Sequence, residues 1–202
     1  PLFVNVAAQA EMTPNANYTQ MPADQLIKQA DAQEAGAILE LAKRYDSYNE
    51  TDQKGVKHDS DKAKQLYESL AKQGNAEAQY QLGNRYNAQD DHGENQAIRW
   101  YLKAAAQNHL EATLDVGELY KYNYEHLSNP KAALNWYLKA AAQGQIEAQI
   151  EVALAYYHGL GVAQNISESI NWLSKAAAIK SDKAMHLLFA IHHYGEGIKA
   201  NP

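Results

Sequence analysis

The sequence predicts an all-α protein, an α-solenoid of stacked antiparallel helix pairs with about four to five repeats. Three observations support this prediction: an eight-residue segment recurs at a fixed spacing, a second motif recurs in phase with it, and both have helical periodicity. The composition agrees, because 46% of the residues are hydrophobic while the mean hydropathy is −0.59. Alanine and tyrosine supply much of this apolar content, which favours close helix packing over a valine-rich sheet.

The first motif marks one helix of the repeat. The segment WYLKAAAQ begins at Trp100 and again at Trp136, and the related WLSKAAAI begins at Trp172. The tryptophans are 36 residues apart, and Leu66 stands at the corresponding position 34 residues before the first. We interpret this motif as a buried spacer, in which alanines let backbones approach and tryptophan fills the resulting gap. Burial of each tryptophan is expected to contribute about 2–3 kcal/mol.

The second motif marks the other helix, helix A, and reads LAKRY, LGNRY, VGELY, VALAY and LFAIH in successive repeats. Its last residue is aromatic or histidine, at steps of 41, 34, 36 and 36 residues: Tyr45, Tyr86, Tyr120, Tyr156 and His192. In the second repeat, Ala78, Leu82 and Tyr86 lie four residues apart and share one helical face. Helix A is therefore expected near residues 35–47, 76–88, 110–123, 146–158 and 182–194.

Short breaks separate the two kinds of helix. Gly74 and Gly144 are expected to end helices in the left-handed conformation. Pro130 fits the first turn of a helix, where its missing N–H costs nothing, and Ser167 with Glu168 predicts another helix start. The unit is thus helix A, a turn, helix B and a second turn.

These motifs resemble the Sel-1-like repeats, relatives of the tetratricopeptide repeats. The fourth repeat shows the family pattern best, in Ala148, Val152, Ala153, Tyr156, Gly159-Leu160-Gly161-Val162, Trp172 and Lys175-Ala176-Ala177. The resemblance covers about residues 22–200. It implies a right-handed superhelix whose concave face, lined by helix A, binds a protein or an extended peptide.

The connections between helices A and B depart from the family pattern. The first is longer, although Gly55-Val56 and Asp59 match the end of the family's loop. The second and third have lost the G-x-G-V element. The last repeat stops after Gly195-Glu196-Gly197, so the chain is expected to end on a half repeat.

The N-terminal segment differs from the rest. Residues 1–10 are uncharged and close on Ala8-Gln9-Ala10, as the second half of a secretory signal peptide does. We therefore expect residues 1–21 to be a signal-peptide remnant plus linker, residues 22–202 to be the solenoid, and the protein to be periplasmic or secreted in a bacterium. The alternative is a short apolar segment docked on the first helix of a cytoplasmic protein.

The composition argues against several classes of chemistry. The net charge of −6 disfavours nucleic acid as a partner, and no apolar run approaches the length of a membrane span. Cysteine is absent, so there is no disulfide, thiolate nucleophile or cysteine-based zinc site. His186, His192 and His193 lack the i, i+4 spacing of a helical metal site, and His192 is expected in the core. We predict no enzymatic activity, no metal and no cofactor.

The predicted partner-binding residues lie on helix A at three positions: two before, two after and five after the leucine or valine that opens its motif. They are Lys43, Tyr80, Asn84, Asn87, Leu114, Glu118, Lys121, Leu154, Tyr157, His186 and His193. Their mixture of apolar, aromatic and polar side chains is typical of protein-binding surfaces. An alternative for the first position, at Leu39, Leu114 and Ile150, is packing between neighbouring A helices.

The sequence therefore predicts a non-catalytic protein-binding module. The resemblance adds a sharper possibility, an exported bacterial immunity or inhibitor protein that neutralises a secreted toxic effector. One alternative is binding or hydrolysis of cell-wall fragments or β-lactams, but the relatives proposed for that carry a cysteine pair in each repeat. Another alternative is a cytosolic adaptor.

Overall fold

The computed structural model describes residues 17–47, 55–88, 94–122 and 129–194. Within these ranges the chain is all-helical, as predicted. A short 3₁₀ turn at Tyr18–Gln20 precedes the helices, which are α1 (Ala23–Asp31), α2 (Ala35–Asp46), α3 (Ser60–Lys72), α4 (Ala76–Asn87), α5 (Glu94–Ala105), α6 (Leu110–Lys121), α7 (Pro130–Ala142), α8 (Ile146–His158), α9 (Ile166–Ala178) and α10 (Asp182–Tyr194).

The two predicted helix types alternate. Helices α2, α4, α6, α8 and α10 are the A helices, and each begins at the residue that the sequence predicts. Helix α6 ends at Lys121, two residues before its expected end, and the others end within one residue of the prediction. Helices α3, α5, α7 and α9 are the B helices.

Each B helix ends in a left-handed residue at the same place in the repeat. As predicted, Gly74 and Gly144 have φ of 93° and 87°. Asn108 and Lys180 take the corresponding places with φ of 62° and 63°. Gln33, with φ of 65°, follows α1 in the same register, so α1 occupies the place of a helix B before the first A helix.

Asparagine or aspartate side chains cap the starts of the B helices α3, α7 and α9. Asp59, Asn129 and Asn165 accept hydrogen bonds from the backbone N–H three residues on, at 3.0, 3.0 and 3.1 Å. Such caps satisfy N–H groups that the first helical turn leaves unpaired. Pro130 is at the predicted first position. Because Asn165 is the cap of α9, that helix begins at Ile166, slightly before the start expected at Ser167.

The chain divides into two compact units, residues 1–93 and 94–202. In the first, helices α1 to α4 pack consecutively. Arg44 of α2 is 5% exposed and donates to the backbone oxygens of Met21 at 2.7 Å and Tyr18 at 2.8 Å. The Tyr18 hydroxyl donates to Glu34 at 2.6 Å. The end of the segment predicted as linker therefore packs on α2, while residues 1–16, with Ala8-Gln9-Ala10, lie outside the described residues.

In the second unit, helices α5 to α10 pack consecutively, and two apolar clusters lie among the described residues of its later helices. One lies among α7, α8 and their neighbours and the other among α8, α9 and α10. Gly117 of α6 lies directly under the Tyr137 ring of α7, since a Cβ at Gly117 would be 2.6 Å from a ring carbon. The small residue beside the central valine thus lets helices A and B come close.

The structure corrects the role predicted for the tryptophans. The deeply buried spacer is the next residue: Tyr67, Tyr101, Tyr137 and Leu173 are 1%, 3%, 3% and 1% exposed. The tryptophans are only half-buried. The Nζ of the lysine three residues on lies 3.9 Å from each ring centroid, in the pairs Trp100–Lys103, Trp136–Lys139 and Trp172–Lys175. Adjacent side chains leave a helix about 100° apart, so only one of the two can face the core squarely.

The G-x-G-V loop of the fourth repeat has a packing role. Gly159 and Gly161 have φ of 71° and 73°. A Cβ at Gly161 would be 2.5 Å from backbone atoms of Pro130, at the start of α7. In the first repeat Val56, the last residue of the same element, is 4% exposed. The loop of the fourth repeat thus packs against the start of helix B in the preceding repeat.

Candidate protein-binding surface

The A helices expose a surface that changes from repeat to repeat. The central apolar residues that open the A motif, Leu41, Leu82, Val116 and Val152, are at most 5% exposed. Leu188, the corresponding residue of the fifth repeat, is half-buried. The residues two and five positions after these five residues are all exposed or half-buried. We call these the A-helix surface: Lys43, Asp46, Asn84, Asn87, Glu118, Lys121, Leu154, Tyr157, Ala190 and His193.

In the first unit this surface is polar. Lys43 Nζ forms an ion pair with Glu77 at 3.2 Å, with side chains 46% and 31% exposed. Asp46 pairs with Arg85, which joins the first and second A helices. The predicted contact residues Tyr80 and Asn84 are half-buried, and Asn87 is exposed.

The residues two positions before the central residues differ in their burial from repeat to repeat. Ile150 is 1% exposed, so packing between helices, the alternative considered for this position, applies there. Leu114 is half-buried against the α7–α8 cluster. Leu39 is half-buried and His186 is exposed.

A charged cluster occupies the surface between α6 and α8. Lys121 Nζ lies 2.6 Å from a Glu151 carboxylate oxygen, with side chains 29% and 12% exposed. Partial burial acts to lower the pKa of Lys121, but the hydrogen bond and charge of Glu151 outweigh it and raise that pKa above its ordinary value. Burial first, and then the charges of Glu118 and Glu151, raise the pKa of the Tyr137 hydroxyl. Two predicted residues, Glu118 and Lys121, are thus brought together with Glu151.

One repeat further on, a cavity of about 290 Å³ lies among α8, α9 and α10. Its lining is mostly apolar and consists of Leu154, Tyr157, His158, Ser169, Leu173, Leu187, Ala190 and Ile191. The sequence predicted Leu154 and Tyr157 as contact residues, but it missed the α9 residues. The signal was present, because Leu173 stands where the three earlier repeats have Tyr67, Tyr101 and Tyr137.

The last described helix exposes one side. His192, expected in the core, is exposed, as is the predicted contact residue His193. The Phe189 side chain is 62% exposed, and its ring stacks on His193 with centroids 5.1 Å apart. No helix follows α10 in the described part of the chain, so none packs over His192 there.

Among the described residues, the histidine, aspartate and glutamate side chains form no group of three or more that could hold a metal ion. No helix in the described part of the chain combines the length and apolar character needed to cross a bilayer.

The repeated helix pairs and the variable A-helix surface define the class of protein, a helical-repeat interaction module. The Sel1 repeat family model matches residues 35–75, 76–109, 110–145, 146–179 and 182–202, so the chain belongs to the Sel1 repeat family. No curated protein matches the sequence significantly.

Solved structures agree with this assignment. A protective antigen of uropathogenic Escherichia coli strains, described as having an SLR fold, is 30% identical with a TM-score of 0.77; the match covers 90% of this chain and 37% of that one. A Sel1 repeat protein from Oxalobacter formigenes is 25% identical with a TM-score of 0.70, covering 89% and 70%. Cysteine-rich protein B of Helicobacter pylori, 20% identical with a TM-score of 0.50 over 63% and 93%, shares the fold. The chain thus spans little more than a third of the E. coli protein.

Proposed function

We propose that this chain is a non-catalytic module that binds a protein partner on its A-helix surface. The observation that carries the proposal is the contrast within each A helix. The residues that hold the stack together keep their apolar character, while the accessible positions two and five residues later include lysine, asparagine, glutamate, leucine and tyrosine. Repeat proteins recognise partners through the extended, variable surfaces that their stacked repeats create.

The proposal is tested by matched arginine substitutions on the two faces. Asn87 and His193 are exposed on A helices, and Asn135 and Asn171 are exposed on B helices. The full chain and each variant are used to capture proteins from an extract of the producing cells, and the captured protein is titrated by calorimetry. Asn87→Arg and His193→Arg together are expected to weaken its binding at least tenfold, whereas Asn135→Arg and Asn171→Arg leave it unchanged. Equal loss on both faces would contradict the proposal.

We propose more specifically that the partner is a secreted toxic effector and that this chain is an exported immunity or inhibitor protein. The net charge of −6 supports this version, because an acidic inhibitor is complementary to a basic active-site cleft. The test is a growth assay in which a candidate effector encoded by the adjacent gene is expressed with and without this chain. Restored growth with wild type but not with the Asn87→Arg/His193→Arg variant is expected. An intracellular protein as the captured partner would instead favour an adaptor.

We also propose that the protein is exported and cleaved between Ala10 and Glu11. The proposal is supported by Ala8-Gln9-Ala10, which ends an apolar stretch as in signal peptides. Mass spectrometry of protein purified from its native host checks this directly. The mature chain is expected to begin at Glu11. Recovery of peptides that retain Pro1 would show that the segment is not removed.

A further inference from the structure

The cavity among α8, α9 and α10 is lined by a residue, Leu173, whose counterpart in the preceding repeat is a larger aromatic side chain. A shift of 36 residues relates the two repeats, so Leu173 corresponds to Tyr137. The Tyr137 ring is buried over Gly117. After burial, the charges of Glu118 and Glu151 contribute to the raised pKa of its hydroxyl.

The fourth repeat replaces both halves of this contact. Ala153 stands for Gly117, and the shorter Leu173 stands for Tyr137, so the aromatic ring is missing where the cavity of about 290 Å³ opens. The surrounding charges change with it. Leu154, Tyr157 and Leu187 correspond to Glu118, Lys121 and Glu151, so an apolar wall replaces the 2.6 Å ion pair of Lys121 and Glu151.

One polar group has been added to this apolar wall. Ser169 lines the cavity and corresponds to Ala133 of the preceding repeat. The Ser169 side chain is 0% exposed, and among the described residues its Oγ has no hydrogen-bond partner. A buried hydroxyl without a partner is costly, and a ligand with a hydrogen-bonding group would satisfy it.

We propose that this cavity is a binding site for one phenol ring, supplied as a tyrosine side chain by the protein partner. The apolar wall suits the ring, Ser169 can hydrogen-bond the phenol oxygen, and Tyr157 and His158 form an edge-to-face pair beside it with centroids 4.9 Å apart. Tyrosine is among the residues that most often anchor protein interfaces, because an apolar body carries a polar tip. That the ring comes from a protein rests on the proposed function; the ring-binding site itself does not.

The site is tested with p-cresol, which is the tyrosine side chain as a free molecule, and with toluene, which lacks the hydroxyl. Each is titrated into the full chain while backbone amide signals are followed by NMR. We expect saturable shifts confined to residues around Leu154, Ser169 and Leu187. Because of one additional neutral hydrogen bond, p-cresol is expected to bind about threefold to tenfold more tightly than toluene. Ser169→Ala, which copies Ala133, should remove this difference without weakening toluene binding.

A second variant fills the cavity from within. Ala153→Gly with Leu173→Tyr recreates the Gly117–Tyr137 contact of the preceding repeat, so the altered pair has a packed precedent in the same chain. This variant is expected to stay folded and to lose the p-cresol shifts. Absence of saturable p-cresol binding to the wild type, or equal binding to the filled variant, would overturn the site. If the filled variant does not fold, the p-cresol and toluene comparison still decides.

The partner arm separates this inference from the proposed function. The protein captured by the wild type is titrated against the filled variant, and at least tenfold weaker binding is expected. Unchanged partner affinity together with lost p-cresol binding would overturn the partner as the source of the ring, while the protein-binding function stands. If the wild type captures no partner, the proposed function fails, although p-cresol binding still establishes the ring site.

Discussion

The adjacent residues Trp136 and Tyr137 have different positions in the same motif, one at the edge of the helix interface and one inside it. Tyr137 points into the interface between α6 and α7 and is 3% exposed. Trp136 lies at its edge, half-buried, under the ammonium group of Lys139. Both residues are large and apolar, so the repeated letters alone did not distinguish the buried ring from the half-buried one. The close contact with Gly117 shows that Tyr137 is the ring buried between the helices.

This division predicts unequal losses of stability. Tyr137→Ala removes a buried ring and is expected to lower the free energy of unfolding by about 3–5 kcal/mol. Trp136→Ala removes partial burial and one cation–π contact, which together stabilise by about 1–2 kcal/mol. Urea denaturation of the full chain measures both. A larger loss for Trp136→Ala would show that the tryptophan is the main spacer after all.

The buried tyrosines also predict a pH dependence. Burial, followed by nearby carboxylate charges, raises the pKa of Tyr67 and Tyr137 above the ordinary value of 10.0. Above that value the unfolded chain loses these protons while the folded chain keeps them, so stability is fully present below about pH 10 and falls as pH rises. In Tyr67→Phe/Tyr137→Phe, urea unfolding between about pH 10 and 12 is expected to show a shallower fall than in wild type. Parallel curves would contradict this origin of the alkaline loss.

At the scale of elements, nearby residues determine where helices end, whereas contacts with residues distant in sequence determine the connections. Asp59, Asn129 and Asn165 cap B helices, and a left-handed residue ends each of them. These features depend on a few consecutive residues, and the sequence predicted the left-handed ends at Gly74 and Gly144, although it did not identify the three caps. The G-x-G-V loop is different, because Gly161 is required by the backbone of Pro130, which is distant in sequence.

Two alanine substitutions separate these effects. Gly159 and Gly161 have nearly equal positive φ, so Gly159→Ala and Gly161→Ala share a conformational cost of about 1 kcal/mol. A Cβ at Gly159 has its nearest neighbour at 3.4 Å, whereas at Gly161 it meets the Pro130 backbone at 2.5 Å. Gly161→Ala is therefore expected to cost about 1–3 kcal/mol more in thermal or urea unfolding. Equal losses of unfolding free energy in the two variants would mean that the close approach of Gly161 to Pro130 does not constrain the loop.

At the scale of the whole molecule, stability is distributed over neighbouring helices. In each unit the main helix contacts join consecutive elements, as in other repeat proteins. A local defect should therefore loosen its own repeat and the adjacent ones more than distant ones. Surface chemistry is distributed as well, with a polar A-helix surface in the first unit and an apolar cavity between the last A helices.

Native-state hydrogen exchange measures this locality. Tyr137→Ala is expected to accelerate amide exchange in α6, α7 and α8 by roughly tenfold or more, since the free energy of local opening falls there. Exchange in α2 and α3 is expected to stay close to wild type. Uniform acceleration along the chain would indicate that it unfolds as a single cooperative block.

The sequence by itself determined the helical repeat, the phase of helices A and B, most helix ends and the family, because periodicity and caps are properties of nearby residues. It also indicated which positions on helix A vary while remaining accessible. Only the tertiary structure decided that Tyr137 rather than Trp136 fills the interface, and that Leu173 leaves a cavity beside Ser169. Those outcomes depend on the size and charge of side chains brought together from different helices, and a one-dimensional pattern does not contain their packing.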